Sequence, residues 1–162
     1  MNKKIQDAMN DQLKLEMDSS ILYLSMAAYF HSLGLDGMAH WMHIQSHEEF
    51  GHAMKFFNHI RDREGRAKVP GISEPKHEWT SPLEAWQEAY RHEQFITSKI
   101  NALAKAVMQE GDFPATPLLD WFHNEQIEEE SQASKTAQML ERIGESGSGL
   151  VMLDRQLGKR ES

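Results

Sequence analysis

Gly65-Arg66-Ala67-Lys68-Val69-Pro70-Gly71-Ile72-Ser73-Glu74-Pro75-Lys76-His77-Glu78-Trp79-Thr80-Ser81 is a connection rather than a helix, and its length decides the fold. Pro70-Gly71 and Pro75 deny it helical continuity. Ser81 followed by Pro82 reads as an N-cap and a first helical residue. Long helical periodicities flank it on both sides. The first segment carries an inward stripe at Ile5, Met9, Gln12, Glu16, Ser19, Tyr23, Ala27 and Phe30, spaced three and four apart. Gly34-Leu35-Asp36-Gly37 breaks it, a C-terminal glycine followed by an N-cap candidate. A second helix is predicted from about Gly37 to Glu64, a third from Pro82 to Glu110 and a fourth from about Pro114 to Ile143. Gly111-Asp112-Phe113-Pro114 separates the last two. Gly144 to Gly149 reads as flexible, and Leu150 to Leu157 as a short fifth helix.

Tight joints make helices one and two antiparallel neighbours, and likewise helices three and four. Fully extended, the connection reaches ~55 Å, against ~40 Å for a helix of about 27 residues. It therefore crosses the whole bundle and lets helix three run parallel to helix two. The fold expected is all-α and a single domain over residues 1–162. Its bundle of four helices with one long crossover covers about 4–143, and the C-terminal helix about 150–157. No internal repeat or low-complexity segment interrupts it.

The composition narrows the function classes. At 162 residues and 40% hydrophobic content, the chain has enough material for one sizeable core. A formal net charge of -8 argues against non-specific nucleic-acid binding, which needs a basic surface, and favours cations as partners. The absence of cysteine removes disulfides, zinc ribbons, thiolate iron sites and cysteine nucleophiles together. The N-terminal Met1-Asn2-Lys3-Lys4-Ile5-Gln6-Asp7 has no apolar signal core, and no run approaches the ~20 apolar residues of a membrane span. The expectation is a soluble, cytoplasmic protein with no membrane partner.

Chemistry enters as polar insertions in the inward stripes. Glu16 lies in that of helix one. Glu93 lies in the stripe Trp86, Tyr90, Glu93, Thr97, Ile100, Ala104, and Gln126 and Glu129 lie in Leu118, Phe122, Gln126, Glu129, Ala133, Leu140. On helix two, Glu49-Phe50-Gly51-His52 sets a carboxylate and an imidazole three residues apart, on one face. Glu-x-x-His is a recurrent chelating unit in bundle cores, where it joins lone glutamates from other helices. His47-Glu48 does not continue into a zinc-protease motif, because Gly51 stands where the second histidine belongs. Each insertion alone is more often a satisfied core polar group. Four at matching heights on four helices imply a shared cation, since each buried carboxylate costs several kcal/mol uncompensated. Oxygen donors with one imidazole suit iron or a related transition metal.

Tyr23 sits two turns from Glu16 on the same face, either a satisfied core phenol or a donor to a metal ligand that can lend an electron. Trp121 is a weaker candidate of the same kind, off the ligand face. Glu48, Glu125 and Glu128 flank the stripes and, with Glu129, offer an outer carboxylate cluster. The methionines read as packing, and His40, His43, His47 and His59 lie around one helix without a convergent face.

Leu15-Glu16-Met17 with Ser19-Ser20 and Tyr23, Glu48-Glu49-Phe50-Gly51-His52, Glu93-Gln94-Phe95-Ile96-Thr97 and Asn124-Glu125-Gln126-Ile127-Glu128-Glu129 together resemble the bacterial non-haem ferritins along essentially the whole chain. The resemblance implies the ferritin-like bundle, iron storage and ferroxidase activity. It implies a first iron at Glu16, Glu49 and His52. A second would sit at Glu49, Glu93 and Glu129, with Glu49 bridging and Gln126 near the pair. Glu48, Glu125, Glu128 and Glu129 would match a third iron site. It also implies a hollow shell of about 24 subunits, the C-terminal helix lining its fourfold axis. Fe(II) and dioxygen or peroxide are the expected substrates.

Near relatives differ at identifiable residues. Bacterioferritin has a haem-ligating methionine where Phe50 stands, so no haem is expected, and it has Glu-x-x-His where this chain has Gln126-x-x-Glu129. Rubrerythrins need cysteines. Starvation-type mini-ferritins build their site between subunits. Thr116 and Leu119 stand where animal heavy chains place acidic residues at the threefold pores, so the animal iron route does not carry over. Two other readings compete: a di-iron oxidase or peroxidase that stores nothing, distinguished by the absence of a closed cage, and a structural bundle whose buried charges pair with each other.

Overall fold

The inward stripes bury as their spacing requires. In the computed structural model, which describes residues 1–161, the chain forms α1 (Lys3–Ser32), α2 (Asp36–Asp62), α3 (Pro82–Glu110), a 3-10 turn (Phe113–Ala115), α4 (Thr116–Ile143) and α5 (Gly147–Leu157), with no strand among the described residues. All eight stripe residues of α1 are buried. On α3 the buried face is Ala85, Trp86, Ala89, Glu93, Ile96, Ile100, Leu103 and Val107, so Tyr90, Thr97 and Ala104 fall at its edge. No helix among the described residues is long and apolar enough to cross a membrane.

Specific contacts give the directions. Ser20 and Ser46 exchange hydrogen bonds between hydroxyl and backbone carbonyl, both at 2.7 Å, joining α1 to α2 at mid-height. Lys4 at the start of α1 reaches Glu110 at the end of α3, while Tyr23 meets Glu93, so α3 opposes α1 and runs parallel to α2. Gln126 on α4 faces Glu93, and Gln87 faces Glu141, which makes α4 antiparallel to α3. The crossover travels the length of α1: Lys68 N–H donates to Asn10, Ser25 donates to the Lys76 carbonyl, and Trp79 packs against Tyr29. Ser81 accepts from Glu84 N–H with Pro82 at the first helical position, as expected. At the other end of the bundle, Arg63 clamps the nearly buried Asp112 with two bonds of 2.8 and 2.5 Å, tying the α3–α4 turn to the end of α2.

Three boundaries differ from expectation. Thr116, rather than Pro114, begins α4, because Phe113–Ala115 tightens into a 3-10 turn closed by Ala115 N–H to Asp112 at 3.0 Å. Gly147-Ser148-Gly149 is not a flexible tether. Ser146 accepts from Gly149 N–H and starts α5 at Gly147, and a Cβ on Gly149 would press on Ile143 at 3.1 Å. The cap of α2 is also not local. Leu35 occupies the N-cap without a side-chain bond, and Asp36 turns to His31. The free N–H groups of Gly37 and Met38 instead donate to the carboxylate of Asp154 on α5, at 3.2 and 2.8 Å.

Two apolar clusters fill the bundle. One gathers Tyr23, Phe30, Met38, Trp41, Trp86 and their neighbours; the other gathers Ile5, Leu13, Phe56, Ile100, Phe122 and theirs. The polar insertions occupy the layer between them. Alanine for glycine inside a helix ordinarily stabilises by ~1 kcal/mol. At Gly37 the sign is expected to reverse, because a Cβ there would lie 1.7 Å from the Asp154 carbonyl oxygen. Gly37→Ala should lower the thermal midpoint of the assembled protein, and a raised midpoint would refute the docking of α5 on α2.

Candidate metal centre

Helical spacing builds each side of the polar layer. On α1, Gln12 Nε2 donates to Glu16 four residues later at 2.7 Å. On α2, Gln45 Nε2 donates to Glu49, again four residues later, at 3.0 Å, and crosses to Glu129 on α4 at 2.8 Å. His52 Nδ1 lies 3.1 Å from Glu49, and Nε2 lies 3.7 Å from Glu125. The Tyr23 hydroxyl donates to Glu93. Gln126 Nε2 donates to the Glu93 carboxylate at 3.1 Å and its carbonyl at 3.2 Å.

The donors converge into overlapping groups. One ligand atom each from Glu16, Glu49 and His52 lie within 4.8 Å of one another, as do atoms from Glu49, Glu93 and Glu129, and from His52, Glu125 and Glu129. Glu49 is common to the first two. Glu16, Glu49, His52, Glu93, Gln126 and Glu129 are all at most 4% exposed. Glu48 and Glu128 stand outside these groups: Arg160 holds the Glu48 carboxylate at 2.5 Å, and Glu128 points outward to Gln132. The structure places Gln126 as a hydrogen-bond donor to Glu93 through its amide nitrogen.

Electrostatics marks the layer as incomplete without a positive guest. Burial, with the neighbouring Glu49 carboxylate, pushes Glu16 up to about 8. Burial also pushes Glu49, Glu93 and Glu129 upward, with carboxylate repulsion adding to each. Tyr23 is driven well above its usual range by burial and by Glu93, so it remains a donor. Glu16 Oε2 is buried with no hydrogen-bond partner. An orphaned acceptor on a residue grouped with the Glu49 carboxylate and the His52 imidazole fits a hard or borderline cation.

Sequence reasoning missed three contributors. Gln45 and Gln12 orient the carboxylates, and the shared signal was a glutamine four residues before each glutamate. His92 packs edge-on against Tyr23 at 6.0 Å and sits 2.7 Å from the Ser19 hydroxyl, with burial pulling it down to about 4. Trp121, set apart by its helix face, lies against His52 with ring centroids 5.3 Å apart. Among the other histidines, His43 and His47 pair at 4.8 Å on the exposed side of α2. A groove of about 360 Å³ between α3 and α4, lined by Tyr90, Thr97, His123 and Glu130, reaches Gln126 from outside.

The family described as "Ferritin-like domain" matches residues 6–143. A bacterial non-heme ferritin of Bacteroides fragilis (strain 638R) is 39% identical over 160 residues, covering 99% of each chain. One from Escherichia coli O6:H1 is 35% identical, covering 93% of this chain and 92% of that one. The crystal structure of an open pore ferritin from the archaeon Archaeoglobus fulgidus superimposes with a TM-score of 0.98 at 42% identity, covering 99% of both chains.

The carboxylates set the sign of a pH dependence. Unfolded, Glu16 releases its proton near 4.5; folded and metal-free, it keeps the proton to about 8. Between those values the folded state binds more protons, so rising pH destabilises it. Glu49, Glu93 and Glu129 act in the same direction. The thermal midpoint of the metal-free protein should fall as pH rises from 4.5 towards 8, and Glu16→Gln should flatten part of the fall. A midpoint that climbs across this window would contradict the buried arrangement.

Proposed function

This chain belongs to the ferritin-like domain family, and on that premise we propose that it oxidises Fe(II) with dioxygen at a two-iron site inside each subunit and stores the Fe(III) as mineral within a closed homo-oligomeric shell of about 24 subunits. It is a ferroxidase, an Fe(II):oxygen oxidoreductase, and acts in the cytoplasm. The observation that carries this reading is the sharing of Glu49 between two groups of close donors. One Fe(II) binds to Glu16, Glu49 and His52, and a second to Glu49, Glu93 and Glu129. Glu49 bridges them.

Each residue's part follows from its chemistry. The carboxylates exchange their retained protons for the two cations, whose charge offsets the burial and repulsion that hold those protons in place. Oxygen-rich coordination favours the Fe(III) product over Fe(II), and a pair of irons hands over two electrons together, avoiding free one-electron oxygen species. Gln126 and Tyr23 fix Glu93 by donating to it. His52, Glu125 and Glu129 form an outer position for a third cation beside the pair.

Glu49→Ala or His52→Ala should slow Fe(II) oxidation roughly tenfold or more, with the shell still assembled by sedimentation. Stopped-flow absorbance after mixing metal-free protein with Fe(II) and oxygen checks this. A fast phase followed by soluble mineral growth at high loading supports storage. A fast phase followed by precipitation points to an oxidase that stores nothing. Unchanged initial rates in both variants would remove the site assignment.

A further inference from the structure

Beyond α5 the chain turns back along α2, and Arg160 reaches the polar layer at Gln45. His40 Nε2 lies 2.9 Å from the Arg160 carbonyl oxygen. The Arg160 guanidinium sits 4.1 Å from the centroid of the Trp41 ring. Its Nη1 donates to the Trp41 carbonyl at 3.3 Å and to Gln45 Oε1 at 2.9 Å, while Nη2 donates to Glu48 Oε2 at 2.5 Å. The side chain is only 15% exposed, unusual for an arginine three residues beyond a terminal helix.

The partner that matters is Gln45, which is fully buried. A glutamine amide has one acceptor end and one donor end. Arginine has only donors, so Gln45 Oε1 must face it. The amide nitrogen is thereby aimed at Glu49 and Glu129, the two carboxylates it bonds. Without Arg160, Oε1 would be a buried acceptor without a partner, and the amide would be free to rotate. The same guanidinium also engages Glu48, the flanking carboxylate on α2.

We propose that Arg160 is a positioning residue of the metal centre: it locks the Gln45 amide onto Glu49 and Glu129. The inference rests on the metal-centre reading above. Removing the fork loosens Glu49 and Glu129 and so alters the environment of the paired cations. Lysine at this position does not substitute, because it supplies a point charge to Glu48 but not a planar fork reaching both acceptors.

Co(II) titration of the assembled, metal-free shell, read by visible absorption, tests this. Arg160→Gln and Arg160→Lys should both shift the spectrum of the first Co(II) ions bound. Initial Fe(II) oxidation in Arg160→Gln should fall about tenfold, the lower end of the loss usual when a partner of a metal ligand is removed. An anchor with a merely structural role would lower the thermal midpoint and leave the spectrum unchanged; that result in Arg160→Gln overturns the proposal. If Arg160→Gln fails to assemble, an unchanged spectrum in Arg160→Lys overturns it equally. Failure of the unaltered chain to bind paired Co(II) would instead bring down the metal-centre reading, and this inference with it.

Discussion

Four carboxylates share a buried layer between two apolar clusters, and the cost of burying their charge side by side is the constraint to which the rest of the molecule answers. Glu16, Glu49, Glu93 and Glu129 are almost fully buried and have no arginine or lysine among their hydrogen-bond partners. The protein supplies uncharged donors instead: Gln12, Gln45, Gln126 and Tyr23. Such donors hold carboxylates in place without neutralising them. A lysine in the same layer would form a stable internal salt bridge and leave no need for a guest. The chosen donors leave the carboxylate oxygens available to metal ions.

The apolar clusters make that arrangement tolerable. Each fully buried phenylalanine or methionine contributes roughly 1.5–3 kcal/mol, and such residues are stacked above and below the layer, among them Phe30, Met38 and Met42 on one side and Phe56, Phe122 and Met9 on the other. The helices must also stay in register, because a shift of one turn would move a ligand ~5.4 Å out of the layer. The Ser20–Ser46 exchange holds α1 against α2 at the height of the site. The Arg63–Asp112 clamp holds the far end, and the Asp154 cap holds the near end. The crossover, bonded to α1 near both of its ends, fixes the parallel placement of α3.

Much of the site was legible because helix geometry converts spacing into direction. Glu49 and His52 share a face at three residues' separation, and any α-helix places them together. Glu93 and Glu129 could be assigned inward because apolar residues bracket them on their own helices. Gln45 and Gln12 were readable by the same rule, four residues ahead of a buried glutamate, but glutamine is common on helix surfaces and the signal is faint alone. Gln126 was placed in the layer correctly, whereas which end of its amide faces Glu93 depends on a neighbouring helix.

Sequence alone determined the five helices, the length that makes the crossover span the bundle, and the inward position of the acidic residues. These follow from local periodicity, from proline and glycine chemistry, and from chain length, none of which requires knowing what lies across the core. Only the tertiary structure decided the partners that arrive from far along the chain. Asp154 caps α2 through Gly37, 117 residues earlier, taking the place of the local Asp36. Arg160 meets Gln45 across 115 residues and pairs with Glu48 across 112. His92 meets Ser19 across 73. A hydrogen bond between distant residues leaves no periodic trace, because it depends on where two helices cross and not on the order of residues within either.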